Sequence, residues 1–81
     1  MNADDIRQLI TDQLACEHIE IDGDGHHWYA VIVSAAFEGK RPIQRHQQVY
    51  GAVRAHMDSE ALHALSMKTF TPAEWEQARQ G

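Results

Sequence analysis

The chain has 81 residues, of which 7 are basic, 12 are acidic, 6 are histidine and 1 is cysteine. This length predicts a single domain over residues 1–81 with one modest core. A lone cysteine excludes an internal disulfide and a zinc site built from thiolates, and no apolar stretch approaches the roughly 20 residues of a membrane span. We therefore expect a soluble cytoplasmic protein. Its unusual feature is histidine, because protonation of all six would move the formal charge from −5 to +1.

The charge is distributed unevenly along the chain. Residues 1–38 carry a net charge of −7, residues 39–57 a net charge of +4 and residues 58–81 a net charge of −2. A basic block of this kind is typical of an anion-binding or nucleic-acid-binding surface, and equally of a solvated helix face. The cations that could bind a partner or a nucleic acid are Lys40, Arg41, Arg45, Arg54 and Lys68.

The first part of the chain predicts a helix followed by a β-hairpin. Apolar residues from Ile6 to Leu14 follow helical spacing, and Asn2 is a candidate N-cap for about three turns of helix. Residues 18–22 alternate with a period of two, and the Asp-Gly pairs that follow favour a tight turn. Residues 27–34 are apolar on both faces, which predicts a central strand.

A second long helix is predicted from Pro42 onwards. Proline suits the first helical position, and an apolar stripe from Ile43 to Met57 follows at three- and four-residue steps. His46 falls within this apolar stripe, so we expect it to be packed and hydrogen-bonded. Arg45 and Arg54 are expected on the opposite, solvated face.

The last part of the chain predicts a strand and a helix. Residues 61–70 fit either structure by pattern, but Thr71-Pro72-Ala73-Glu74 is a capping box that starts a helix at Thr71. The preceding segment is therefore interpreted as a short strand. The resulting order is α–β–β–α–β–α, and a right-handed crossover would place the last strand parallel to the hairpin. We expect an α+β fold with a three-stranded mixed sheet packed by helices.

Motifs for catalysis are lacking. Cys16 has no local nucleophile motif, and the serines have no nucleophile-elbow glycines around them. The acidic turn is not a calcium loop, because Val33 occupies the position of the bidentate glutamate. The sequence therefore offers little support for an enzyme.

The histidines are candidate metal ligands. His26 and His27 follow a tight turn, and His63 lies near the start of the predicted last strand. If that strand pairs beside the hairpin, a loop histidine and His63 would approach each other. Two imidazoles make an incomplete site that another molecule would have to complete, and polar strand-end residues are the alternative interpretation. His18 and His56 are interpreted as ordinary surface residues.

Three blocks of sequence resemble the BolA-like protein family. They are Phe37 to Lys40, Arg45 to Tyr50 and Leu62 to Trp75, and they occur in order at the family's usual spacing. The similarity covers nearly the whole chain, and the short N-terminus and the Gly-Asp-Gly-His-His loop look most like the bacterial BolA/IbaG branch. It implies a fold similar to class II KH domains, in agreement with the predicted order of elements.

The resemblance also implies a non-enzymatic adaptor that binds a monothiol glutaredoxin and shares a [2Fe–2S] cluster with it, in iron–sulfur cluster trafficking and iron homeostasis. The partner would contribute a cysteine and a bound glutathione thiol. This chain would contribute His63 and a histidine of the hairpin loop, for which the alignment favours His27 and leaves His26 as the alternative. The isolated chain, a monomer or weak homodimer, would hold no cluster tightly.

DNA-binding transcriptional regulation is the second role that the resemblance implies. A KH domain grips the nucleic-acid backbone with a Gly-X-X-Gly loop. The comparable segment here is Gly39-Lys40-Arg41-Pro42, which lacks the second glycine. This alternative therefore depends on the five cations named above.

Overall fold

The computed structural model describes residues 1–80 and shows a three-stranded sheet with helices on both faces. Strand β2 is central, with β1 antiparallel and β3 parallel to it. This confirms the predicted α+β fold with a mixed sheet. The elements are α1 (Ala3–Gln13), β1 (His18–Gly23), β2 (Trp28–Val33), a 3-10 turn (Ala35–Phe37), α2 (Pro42–Val53), α3 (Ser59–His63), β3 (Leu65–Phe70) and α4 (Pro72–Gln80).

The predicted starts of the first and last helices are confirmed. The Asn2 side chain accepts a hydrogen bond from the Asp5 N–H at 2.9 Å, and the Asp5 carboxylate accepts one from the Asn2 N–H at 3.0 Å. Thr71 and Glu74 make the same reciprocal pair at the start of α4, at 2.9 and 3.2 Å. Each capping box satisfies two backbone donors that the first helical turn would leave unpaired.

One face of the sheet carries the core. Apolar residues of β2 pack there against α1 and α2, and the burial of their side chains is the main force that holds the helices on the sheet. Within residues 1–80 no helix combines the length and apolar composition that crossing a bilayer requires. The core residues with the least exposure are Ile6, Ile10, Ile32, Phe37, Val49 and Val53.

Helix α4 covers part of the other face. The Trp75 ring stacks on His18 with 4.9 Å between centroids and contacts the Phe70 ring at 5.4 Å. His18 also pairs with the carboxylate of Glu20. The prediction that His18 is an ordinary surface residue is therefore wrong, because its ring is part of the packing between α4 and the sheet.

The segment before β3 differs from the prediction. Its first residues form the short helix α3, and the strand begins only at Leu65, so His63 ends a helix instead of lying on a strand. Asp58 explains the difference, because its carboxylate accepts a hydrogen bond from the Ala61 N–H at 2.8 Å and caps the helix. This cap signal precedes the segment that the sequence pattern assigned to the strand.

The orientation of α2 also differs from the prediction. Arg45 is 8% exposed and faces the sheet, whereas Ile43 is 64% exposed. His46 is half-buried, and within residues 1–80 its side chain makes no hydrogen bond. The helix is rotated so that Arg45 lies with Val49 and Val53 on its buried face. A buried guanidinium is tolerated here because carbonyl and carboxylate oxygens surround it.

Candidate metal centre

The hairpin turn that carries His26 and His27 is held by Asp24. One carboxylate oxygen of Asp24 accepts hydrogen bonds from the backbone N–H groups of both histidines at 2.8 Å. Both bonds lower the pKa of Asp24, and the bond from His27 has the larger effect. Gly25 has a φ of +93°, which favours glycine because it has no Cβ. The turn therefore presents two exposed imidazoles from a fixed backbone.

The structure brings His63 next to this turn. The Trp28 N–H donates a hydrogen bond to the Ala64 C=O at 2.9 Å, and Trp28 is the register partner of Leu65. His27 immediately precedes the donor Trp28, and His63 immediately precedes the acceptor Ala64. The predicted approach of the hairpin loop to His63 is thus present in the backbone, although His63 reaches it from a helix end.

His27 and His63 are both exposed, and as ligands they would provide only part of a ligand set. Among residues 1–80, no group of three or more histidine, cysteine, aspartate or glutamate side chains could hold a metal ion. Neutral imidazoles suit iron, copper and zinc, and in some two-iron clusters two histidines replace two thiolates on one iron. His27 and His63 offer two exposed imidazoles on adjacent backbone segments, which is the minimum that such a half-site requires.

Cys16 does not contribute to this site. It lies just before β1, whereas the hairpin turn follows the other end of that strand, about 20 Å away for six extended residues. Its thiol donates a hydrogen bond to the Leu14 C=O at 3.3 Å. Burial raises the pKa of the Cys16 thiol, and the charge of Glu17 raises it further. A raised pKa disfavours the thiolate that a metal would need.

Helix α3 separates two grooves of different character. The first has a volume of about 380 Å³, and we call it the cationic groove; Tyr50, Arg54, Ser59, Leu62 and His63 line it. The second has a volume of about 220 Å³, and we call it the acidic groove; Gly25, His26, Trp28, Asp58, Glu60 and Ala61 line it. The two candidate ligands His63 and His26 therefore face different surroundings.

The predicted cations do not share one surface. Arg41 and Arg54 flank opposite ends of α2, about 20 Å apart by helical rise. The Lys40 ammonium donates to the Gln48 side chain at 2.9 Å, and Lys68 lies on the sheet face that α4 leaves partly open. The expectation that Arg45 is available on a solvated face is wrong.

Arg45 is held inside the molecule by three groups. Its guanidinium donates to the Glu74 carboxylate at 2.7 and 3.3 Å, to the Lys40 C=O at 2.8 Å and to the Thr69 C=O at 3.3 Å. It also lies 5.9 Å from the centroid of the Phe37 ring. These contacts join α2, β3 and α4, so Arg45 acts as a structural residue.

Comparison with known proteins gives consistent matches. Residues 10–74 match the family model described as BolA-like protein. The acid stress protein IbaG of Escherichia coli (strain K12) is 30% identical over 79 residues, which cover 98% of this chain and 94% of that protein. The DNA-binding transcriptional regulator BolA of Haemophilus influenzae is 42% identical over 53 residues, or 65% of this chain and 50% of that protein.

The fold has equally clear counterparts among solved structures. The crystal structure of a bol-like protein from Babesia bovis superposes with a TM-score of 0.84 at 29% identity, over 98% of this chain and 94% of that one. The two relatives above carry the names of a stress protein and a regulator, and neither name describes an enzyme.

Proposed function

Because this chain belongs to the BolA-like protein family, we propose that it is a non-enzymatic adaptor that binds a monothiol glutaredoxin and shares a [2Fe–2S] cluster with it. Its role is in iron–sulfur cluster trafficking and iron homeostasis in the cytoplasm. The observation that carries the proposal is the hydrogen bond between the Trp28 N–H and the Ala64 C=O. This bond supports joint ligation by His63 and a histidine of the adjacent hairpin turn.

The proposal assigns each histidine a specific task. His63 is one ligand and His27 the second, with His26 as the alternative. The contact of His26 with the acidic groove favours His27, because Asp58 and Glu60 would repel the negative charge that thiolates bring to a cluster. Ligation requires neutral imidazoles, so retention of the complex weakens as the solution becomes acidic.

The candidate ligand histidines are exposed and too few to complete a metal site, and both facts support a cluster that is shared with a partner. Both histidines are exposed, and the described residues supply no third ligand. The glutaredoxin would supply a cysteine thiolate and the thiol of bound glutathione. Two imidazoles in place of two thiolates reduce the negative charge of a [2Fe–2S] cluster and raise its reduction potential. The isolated chain would be a monomer or weak homodimer with no tightly bound cluster.

Co-purification with a monothiol glutaredoxin and glutathione under anaerobic conditions tests this function. Visible absorbance and circular dichroism report the environment of the cluster. We expect H63A and H27A each to change the spectrum of the complex. H56A is the control that should keep the wild-type spectrum, and H26A should change the spectrum only if His26 takes the place of His27 as the second ligand. A wild-type spectrum for H63A would show that this chain does not ligate the cluster through His63.

DNA-binding regulation is the second candidate function. The name of the Haemophilus influenzae relative favours it, as do the exposed cations Lys40 and Arg41 before α2. The double variant K40A/R41A should bind DNA more weakly and lower the slope of log K against log salt by about 2, if each cation neutralises one phosphate. Absence of wild-type binding at low salt would eliminate this candidate.

A further inference from the structure

The cationic groove beside α3 has an uncompensated positive charge. Arg54 is exposed, and within residues 1–80 its guanidinium makes neither an ion pair nor a hydrogen bond to the protein. None of the five lining residues is acidic, although the whole chain has a formal charge of −5. The groove on the other side of α3 contains Asp58 and Glu60 instead. An anion would therefore favour the first groove and be repelled from the second.

The side chains around Arg54 indicate the kind of anion. A guanidinium presents a planar fork of donors that matches a carboxylate, and the Ser59 hydroxyl is a further donor beside it. Tyr50 and Leu62 are half-buried and give the groove an apolar wall. The volume of about 380 Å³ lies in the range of small-molecule sites, roughly 300–1,000 Å³.

We propose that the cationic groove binds a short peptide through its free C-terminal carboxylate. Arg54 holds the carboxylate, and the ring of Tyr50 and the side chain of Leu62 contact the aliphatic part of the peptide. One guanidinium balances the single charge of a carboxylate, whereas a phosphate would leave a second charge unpaired. Since His63 also lines the groove, a bound peptide lies against that residue.

The binding itself is independent of the cluster function proposed above. Only its consequence, that an occupant of the groove changes access to His63, rests on that function. If the cluster experiment fails, the peptide titration still tests whether the cationic groove binds a peptide.

Titration of the isolated ¹⁵N-labelled chain with N-acetyl-glycyl-alanine, followed by NMR, tests the groove. We expect saturable shifts at residues 50–63. The C-terminal amide of the same peptide should bind about fivefold more weakly, because it lacks the charge that strengthens the hydrogen bonds to the guanidinium and Arg54 is exposed to solvent. R54Q should weaken binding of the acid by a similar factor. E60Q, in the acidic groove, is the matched control and should stay within about twofold of wild type.

Three results would overturn the proposal. They are the absence of saturable shifts with the acid, equal affinity for the acid and the amide, and unchanged affinity in R54Q. Arg54 is exposed, so R54Q should fold normally, and its NMR spectrum without peptide verifies this.

Discussion

The ion pair between Arg45 and Glu74 offers the most direct test of how this fold is held together. Substitution of Glu74 by glutamine keeps a side-chain oxygen that can accept the hydrogen bond from the Thr71 N–H, but it removes the negative charge beside Arg45. Arg45 is 8% exposed, so the positive charge cannot turn into solvent without displacing α2. We therefore expect E74Q to destabilise the protein even though the cap of α4 is retained.

The size of the effect follows from the pKa of Glu74. Hydrogen bonds from Arg45, and then from the Thr71 backbone, lower this pKa from 4.5 to about 2. Such a shift corresponds to about 3.4 kcal/mol at most. The Glu74 side chain is 48% exposed, so solvent screening reduces the contribution, and we expect about 1–2 kcal/mol for E74Q at neutral pH.

The dependence on pH has a definite sign. Because the pKa of Glu74 is lower in the folded chain, its contribution is fully present above about pH 4.5 and is lost as the pH falls towards 2. Urea unfolding of wild type and E74Q at several pH values should therefore give free energies of unfolding that converge in acid. E76Q is the control, because Glu76 pairs with Arg79 on the exposed surface of the same helix.

Two outcomes would refute this reasoning. One is an E74Q stability equal to wild type at neutral pH, which would mean that the ion pair contributes nothing beyond the cap. The other is a difference between the two proteins that stays constant from neutral pH to pH 3, which would mean that the charge of Glu74 is not its source. E76Q should change stability less than E74Q at neutral pH.

Two further predictions concern packing and reactivity. G23A should destabilise the hairpin by about 1–3 kcal/mol, because a Cβ at Gly23 would lie 2.3 Å from the His27 carbonyl oxygen. A Cβ at Gly51, by contrast, would meet nothing within 4 Å. G51A, in helix α2, should instead stabilise by about 0.5–1 kcal/mol, and urea unfolding of both variants measures the contrast. Cys16 should react with iodoacetamide more slowly in the folded chain than in urea, since its pKa is raised; equal rates would contradict its burial.

Local features of this protein could be predicted from sequence because the groups that make them are close along the chain. The capping boxes at Asn2 and Thr71 join residues three apart. The alternation of β1 with a period of two predicts one strand of the hairpin, and the apolar residues on both faces of β2 predict the central strand. The apolar pattern of residues 61–70 does not predict the short helix α3, although the cap of that helix is equally local, because Asp58 lies outside the pattern.

Only the tertiary structure decided the features that join distant segments. Arg45 and Glu74 are 29 residues apart, and no periodic pattern distinguishes a buried arginine from a solvated one. The stacking of His18 on Trp75 and the division of charge across α3 likewise depend on how the helices pack on the sheet. The sequence by itself determined the hairpin that carries His27, whereas the chain's three-dimensional packing decided that His63 stands beside it, because the parallel pairing of β2 and β3 depends on contacts distant in sequence.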